Sequence, residues 1–318
     1  MIIKKREVSL SIQKLQALVR RTPRNHPKYP LIQENLSKTM AGHKGETSLD
    51  YPLSFLQENK YFILHDLRLK DSKHFFQIDT LVLSQNFILI LEVKNIAGTL
   101  YFDQEFNQLI RTKNGIEKAF PDPLIQVQRQ EAQLKNWMAL NRLPAVPIHS
   151  LIIISNPGSI IRTSPQYKSL SQKVIHRDYL PERIRQLEKL YLKNQLSEKE
   201  LKKWIRQLKK QHEAADHSIL ERFNVTREQL RKGIHCPVCE FIPLARIYGN
   251  WHCPNCSLLS KDAHLSSLKD YSLLINSEAS SSEVRDFLNI SDIHLTSRLL
   301  RSAAKESTGK NKGKRYTL

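Results

Sequence analysis

FFQIDTLVLSQNFILILEVKN, residues 75–95, is the most apolar stretch of an otherwise strongly basic chain, and its reading decides the fold. β-Branched, aliphatic and aromatic residues flank the polar Ser84-Gln85-Asn86, so the stretch is expected to form a buried hairpin. It nevertheless carries Asp79, Glu92 and Lys94. Successive strand side chains point to opposite faces, which puts Glu92 and Lys94 on the same one. If Gln85-Asn86 is the turn, Ser84 pairs with Phe87, Asp79 stands opposite Glu92, and Gln77 opposite Lys94. A four-residue loop preserves that register, whereas a three-residue loop turns Asp79 to the other face. Two unpaired buried carboxylates would be costly through desolvation and mutual repulsion. A divalent cation such as Mg²⁺ or Mn²⁺ removes both costs and brings chemistry with it, polarising a phosphodiester and acidifying bound water beside a lysine. The alternative is a structural carboxylate–lysine ion pair at a sheet edge.

The flanking sequence suggests an α/β domain. Residues 8–20 read as a short amphipathic helix. A second helical stretch, about 33–58, is expected to kink or divide at Pro52. YFILHDLRL and TLYFDQEFNQLIRT read as extended, Asn114-Gly115 as a turn, Pro123 to about Leu140 as a helix, and LIIISNPGSI as a buried strand. The expected organisation is a helical extension (1–35), the α/β domain (36–180), a basic helical connector (181–232), a cysteine module (233–262) and a tail (263–318). Within the connector, Ser197 and Glu200 have capping-box spacing.

Four motifs in order, GHKGE (42–46), QIDTLVL (77–83), EVKNIAGTL (92–100) and PLIQVQRQ (123–130), resemble the nuclease-related domain (NERD) family of the PD-(D/E)XK nuclease superfamily. The resemblance covers about residues 36–180. It implies a restriction-endonuclease-like mixed sheet flanked by helices. It also implies a helical acid at Glu46, metal carboxylates at Asp79 and Glu92, a catalytic amine at Lys94 and a helical glutamine at Gln126. The family often has Asn-Pro ahead of that glutamine, where this chain has Asp122-Pro123. His43 and His65 read as surface or packing histidines, and Asp66 and Asp103 as turn or edge residues in preference to site residues.

All four cysteines fall in HCPVCEFIPLARIYGNWHCPNCS. Cys236, Cys239, Cys253 and Cys256 form two C-x₂-C pairs, the spacing of a zinc ribbon with a closed tetrahedral Zn²⁺ shell; two disulfides are the alternative. His235 and His252 are read as spectators. In the tail, Ser282 is a plausible N-cap for one helix and a second follows at about 291–303. The pair resembles a helix-turn-helix, with STGKNKGKRYTL as a basic wing closed by Tyr316 and Leu318. Candidate nucleic-acid contacts are His294, Ser297, Arg298 and Arg301 on the helix, and Lys310, Lys312, Lys314 and Arg315 in the wing. A two-helix cap with a basic tail is the other reading.

The formal charge of +19 over 318 residues favours a polyanionic partner. The start of the chain has no signal-peptide pattern and no apolar run reaches the ~18 residues of a membrane span, so the expected location is the cytoplasm. The leading expectation is a Mg²⁺-dependent nuclease acting on DNA. The alternative is a non-catalytic DNA-binding or regulatory protein that keeps the nuclease-like core as a scaffold.

Overall fold

The computed structural model describes residues 1–318 except for the side chain of Lys312. In chain order, β1 (Ile2–Lys4), α1 (Leu10–Arg21), α2 (Tyr29–Thr47) and α3 (Asp50–Leu53) precede β2 (Phe62–Lys70), β3 (Phe75–Leu83) and β4 (Ile88–Lys94). There follow β5 (Thr99–Asp103), β6 (Gln108–Lys113), β7 (Ile116–Pro121), α4 (Pro123–Leu140), β8 (Ile148–Ile154), β9 (Ile160–Thr163), β10 (Val174–His176), α5 (Leu180–Leu190) and α6 (Glu198–Lys210). The remainder comprises α7 (Ile219–Phe223), β11 (Ala245–Ile247), β12 (Asn250–His252), β13 (Leu259–Ser260), α8 (Ala263–Leu274), β14 (Glu278–Ser280), α9 (Ser281–Leu288), α10 (Ile293–Ala303), β15 (Glu306–Thr308) and β16 (Arg315–Thr317). These elements form two units: Met1–Glu7 with Met40–Ala214, and Val8–Thr39 with Ala215–Leu318.

The first unit is built on a six-stranded mixed sheet in the order β1-β2-β3-β4-β8-β10. The β2–β3–β4 meander is antiparallel, while β1 joins β2, and β8 and β10 extend β4, in parallel. The hairpin has the expected register, with Leu83 opposite Ile88 and Thr80 opposite Leu91. Ser84 closes it, its N–H donating to the Phe87 carbonyl at 3.1 Å. One face of the sheet packs against Leu134 and Trp137 of α4 and Leu201, Trp204 and Leu208 of α6. The other packs against Leu53 of α3 and Leu180, Ile184 and Leu187 of α5. Both faces are covered, which is why the central strands read as continuous apolar runs. A second sheet, β7-β6-β5-β9, is joined by the Asn114-Gly115 turn, where both residues have positive φ (51° and 75°) as a tight hairpin requires.

Three expectations change here. The helical segment divides at Ser48-Leu49, before Pro52, which sits inside α3. Residues 181–210 are not a connector: their apolar stripes complete both faces of the sheet, and only the region after Ala214 leaves this unit. The N-terminal extension is also split, because β1 adds a strand to the sheet whereas α1 belongs to the second unit. The capping box at Ser197 and Glu200 forms as its spacing requires.

In the second unit, one core collects Leu15 and Leu18 of α1, Phe223 of α7, Cys236, Trp251 and Cys253 of the ribbon, and Tyr271, Phe287, Leu300 and Tyr316 of the tail. The cysteine module therefore shares a core with its neighbours and is not a separate small domain. The three strands β14-β16-β15 lie with α8, α9 and α10 in the element order helix, strand, helix, helix, strand, strand. Ser280, not Ser282, caps α9, because Ser280 stands three residues before Glu283 and the two complete a capping box. Arg21 locks α1 in place. Its side chain is fully buried; Nε donates to Asp270 at 2.9 Å and Nη1 to the carbonyls of Arg231 (3.1 Å) and Gly233 (2.7 Å). Replacing it with Met leaves two carbonyls without their donor and leaves Asp270, inside the core, with Arg20 at 2.6 Å as its one remaining guanidinium partner. In urea unfolding, Arg21→Met is expected to lower stability by about 3 kcal/mol or more, the cost of breaking a buried ion pair; a loss below about 1 kcal/mol contradicts this packing.

Candidate active site and metal centre

The central sheet loosens where its acidic residues lie. Leu64 and Leu67 on β2, and Ile78 and Leu81 on β3, are three apart yet reach the same core cluster. Strict alternation would send the members of each pair to opposite faces, so alternation slips by one residue on both strands. The slip falls at Asp66 and Asp79. Asp66 takes φ 51°, rare for a non-glycine residue in a strand, and the β2–β3 ladder skips from His65–Thr80 to Leu67–Ile78. The β3–β4 ladder ends at Thr80–Leu91, so Asp79 has no backbone partner on β4; instead its Oδ2 accepts the Val93 N–H at 2.9 Å. Burial first, then the charges of Glu92 and Glu46, hold the Asp79 carboxyl well above the usual carboxylate range.

Glu92 and Lys94 lie on one face, as their spacing requires, and α4 meets both. Lys94 Nζ donates to Glu92 Oε1 at 2.8 Å and to Gln126 Oε1 at 2.9 Å, and Gln130 Nε2 donates to Glu92 Oε2 at 2.8 Å. The match is geometric. Two strand residues span about 6.6 Å and four helix residues about 6 Å, so a glutamine pair four apart can address a Glu-x-Lys pair two apart. Gln130 was not among the expected site residues, although its position one turn beyond Gln126 was a signal for it. Its Oε1 is buried without a hydrogen-bond partner. Asp122 explains the departure from Asn-Pro: it is the N-cap of α4, accepting the Leu124 N–H at 2.8 Å, with Pro123 in the first turn.

Glu46 reaches the same region from α2. A Cβ on the preceding Gly45 would lie 2.6 Å from Asn95 Cβ and 2.8 Å from Ser155 Oγ, so glycine is what lets the helix come this close. The Glu46 carboxylate binds Arg6, whose Nη1 donates to its Oε2 at 2.9 Å. Burial raises the Glu46 carboxyl to about 7 despite Arg6, with Asp66 and Glu92 adding to the rise. The charge of Glu92 thus adds to the rise at both Glu46 and Asp79, but the three carboxylates do not close on a single point. Among the described residues only the four cysteines bring three or more ligand atoms within 4.8 Å of one another.

Arg6 was not anticipated. Its side chain is 4% exposed, and Nη1 also reaches Asp66 at 3.3 Å, while Nη2 contacts His65 Nδ1 and Thr80 Oγ1, each at 2.9 Å. His65 is thus a packing histidine, one of its two expected readings, and both it and the half-buried Asp66 are partners of a buried arginine. Asp103 is the turn residue expected, accepting the N–H groups of Glu105 and Phe106, and His43 is half-buried on α2.

The four thiols meet in the second unit. Cys236 Sγ and Cys256 Sγ are 3.6 Å apart, and Cys239 Sγ and Cys253 Sγ 3.5 Å. Sulfurs about 2.3 Å from a tetrahedral ion stand about 3.8 Å apart, so the cluster is placed to hold one metal ion. The two knuckles repeat one geometry: Glu240 N–H donates to the Cys236 carbonyl and Ser257 N–H to that of Cys253, each donor at φ 58°. His235 turns away from the thiols, its Nδ1 lying 2.9 Å from Ser267 Oγ and 3.2 Å from Asp270. On α10, Thr296, Leu299 and Leu300 face the core, while His294, Arg298 and Arg301 are exposed and Ser297 is half-buried. In the wing Lys310 is exposed, Arg315 pairs with Glu283 at 2.8 Å, and Lys314 lies over the Tyr316 ring. The Lys312 side chain lies outside the described residues.

The sequence profile of the nuclease-related domain family, NERD, matches residues 41–155. This segment is a NERD domain. It contains Glu46, Asp79, Glu92, Lys94 and Gln126, and the Gln130 that joins them. Arg6 and the cysteines lie outside the matched residues. Searches among curated proteins and among solved structures find no match. Among the described residues no helix is long and apolar enough to cross a membrane.

The NERD core contains a pH-sensitive element in His65. Burial first, then Arg6 and Lys4, hold its imidazole down at about 3, so it stays neutral with Nδ1 accepting from Arg6. An unfolded chain protonates the same group near 6.5. The unfolded state therefore binds more protons between those values, and the contribution of His65 is complete above pH 6.5 and lost as pH falls toward 3. From pH 7 to 5 the loss is about 2 kcal/mol. Urea unfolding at both pH values should show a smaller acid loss in His65→Asn than in the unmodified protein; equal losses contradict a buried neutral imidazole.

Proposed function

We propose that the NERD unit is a metal-dependent phosphodiesterase acting on DNA. One observation carries the reading: Asp79, Glu92, Lys94 and Gln126 gather where a fully covered sheet loosens. Asp79 and Glu92 suit a Mg²⁺ or Mn²⁺ ion, because they are oxygen donors enclosed together with Lys94 as the cation in direct contact with Glu92. When bound, such an ion polarises the scissile phosphate and lowers the pKa of a coordinated water. The chain's own contribution is orientation. Gln130 and Lys94 fix one Glu92 oxygen each, and the Val93 N–H fixes one oxygen of Asp79. Gln126 and Glu92 hold the Lys94 ammonium, which can then orient the attacking water and stabilise charge developing on phosphate. With purified protein and a DNA substrate, cleavage is expected to require Mg²⁺ or Mn²⁺ and to fall at least about a hundredfold in Asp79→Ala and in Lys94→Ala. Unchanged cleavage in either variant contradicts the assignment.

The second unit favours a DNA-binding contribution, for which the exposed Arg298 and Arg301 on the third helix of a winged-helix arrangement are the support. Affinity for duplex DNA supplied by such residues is expected to fall as salt rises, because it rests on the release of condensed counterions. Duplex binding without any metal-dependent cleavage would be the signature of the scaffold alternative. We assign the thiol cluster to one structural Zn²⁺, since four thiolates at this spacing leave no open coordination position. Because Cys236 and Cys253 belong to the core of the unit, removing the ion should cost more than a local knuckle. Displacement with a mercurial should release one zinc per chain and lower the unfolding temperature; release without loss of stability contradicts a structural role.

A further inference from the structure

Arg6 precedes the NERD segment, yet both of its terminal nitrogens find partners in the acidic region, while its buried Nε makes no hydrogen bond. Pairing of Ile2 and Lys4 with Ile63 and Leu64 of β2 brings the chain past the sheet just before it. From there the guanidinium contacts four elements: Glu46 on α2 at 2.9 Å, Asp50 on α3 at 3.9 Å, His65 and Asp66 on β2, and Thr80 on β3. Three carboxylates thus converge on one fixed cation, and Thr80 is the neighbour of Asp79. Glu46 is bound to this arginine and does not join Asp79 and Glu92 in a close three-carboxylate cluster. Two-metal nucleases place ions about 3.5–4 Å apart to clamp both sides of the phosphate. Here a guanidinium is buried among the acids that a second ion would need.

We propose that Arg6 is the site's built-in second cation: it takes up Glu46, Asp50 and Asp66, so that the pocket accepts one divalent ion, at Asp79 and Glu92. This rests on the metal-dependent reading above and specifies its stoichiometry. In that role Arg6 is a positioning residue, holding Glu46 at the edge of the site. Its planar fork contacts several acceptors at once, which a lysine ammonium matches in charge but not in geometry.

The test counts ions without requiring turnover. Zinc-loaded full-length protein is titrated with Mn²⁺, and free and bound ion are distinguished by electron paramagnetic resonance. One Mn²⁺ per chain is expected, lost in Asp79→Asn. Arg6→Met is expected to admit a second ion and Arg6→Lys to remain at one. Glu46→Gln keeps an acceptor for Arg6 and should change the affinity of the single ion less than about threefold. Two ions in the unmodified protein, or a loss of roughly tenfold or more in Glu46→Gln, overturns the proposal even if Arg6→Met fails to fold. A folded Arg6→Met that still binds one ion overturns the role of Arg6 alone. No Mn²⁺ binding to the unmodified protein overturns the metal-dependent reading and the stoichiometry together.

Discussion

Enclosing carboxylates inside a covered sheet is the constraint to which the first unit answers. An ionised acid removed from water is costly unless a cation or hydrogen-bond donors replace its hydration. Each acid here has such a replacement: Asp79 the Val93 N–H, Glu92 the Lys94 ammonium and the Gln130 amide, Glu46 the Arg6 guanidinium. Supplying them dictates local structure. The sheet gives up backbone pairing at Asp79, α4 presents glutamines one turn apart, and α2 approaches on a glycine that leaves no room for a side chain.

The covered sheet also explains why distant parts of the chain are needed. Both faces carry aliphatic residues, so helices from beyond the NERD segment complete the layers: α5 on one face, α6 on the other. The second unit follows a different logic. Its helices, ribbon strands and wing are individually short, and they become stable by sharing one core into which the thiol cluster and the Arg21–Asp270 pair are built. The two sites therefore differ in kind. Thiolates on paired knuckles form a closed shell suited to a structural ion, whereas carboxylates beside a lysine suit an exchangeable ion that acts on phosphate.

What the sequence disclosed follows from interaction range. The hairpin register needed only strand periodicity and an even loop, and alternation put Glu92 and Lys94 on a shared face; that α4 covers this face is seen only in the structure. The thiol cluster needed only spacing, and the wing only a basic, glycine-punctuated strand pair. Gln130 was within reach, because helix and strand rises match over one turn. Arg6 was not: it lies forty residues before Glu46 and fifty-nine before His65, and nothing near it announces burial. The slip at Asp66 and Asp79 was equally hidden, since it conserves register while exchanging faces. Dividing the N-terminus between units depends on Arg21 finding Asp270, a pairing no local pattern encodes.

The central claim is that Asp79 and Glu92 together bind the ion that acts on phosphate. Its most direct test is an anomalous difference map from a crystal of the protein soaked in Mn²⁺. The account predicts one strong peak within coordination distance of a carboxylate oxygen from each of Asp79 and Glu92, on the Lys94 side of β4. A map with no peak there, or with the ion held by Glu46, Asp50 and Asp66 in place of Arg6, would contradict it.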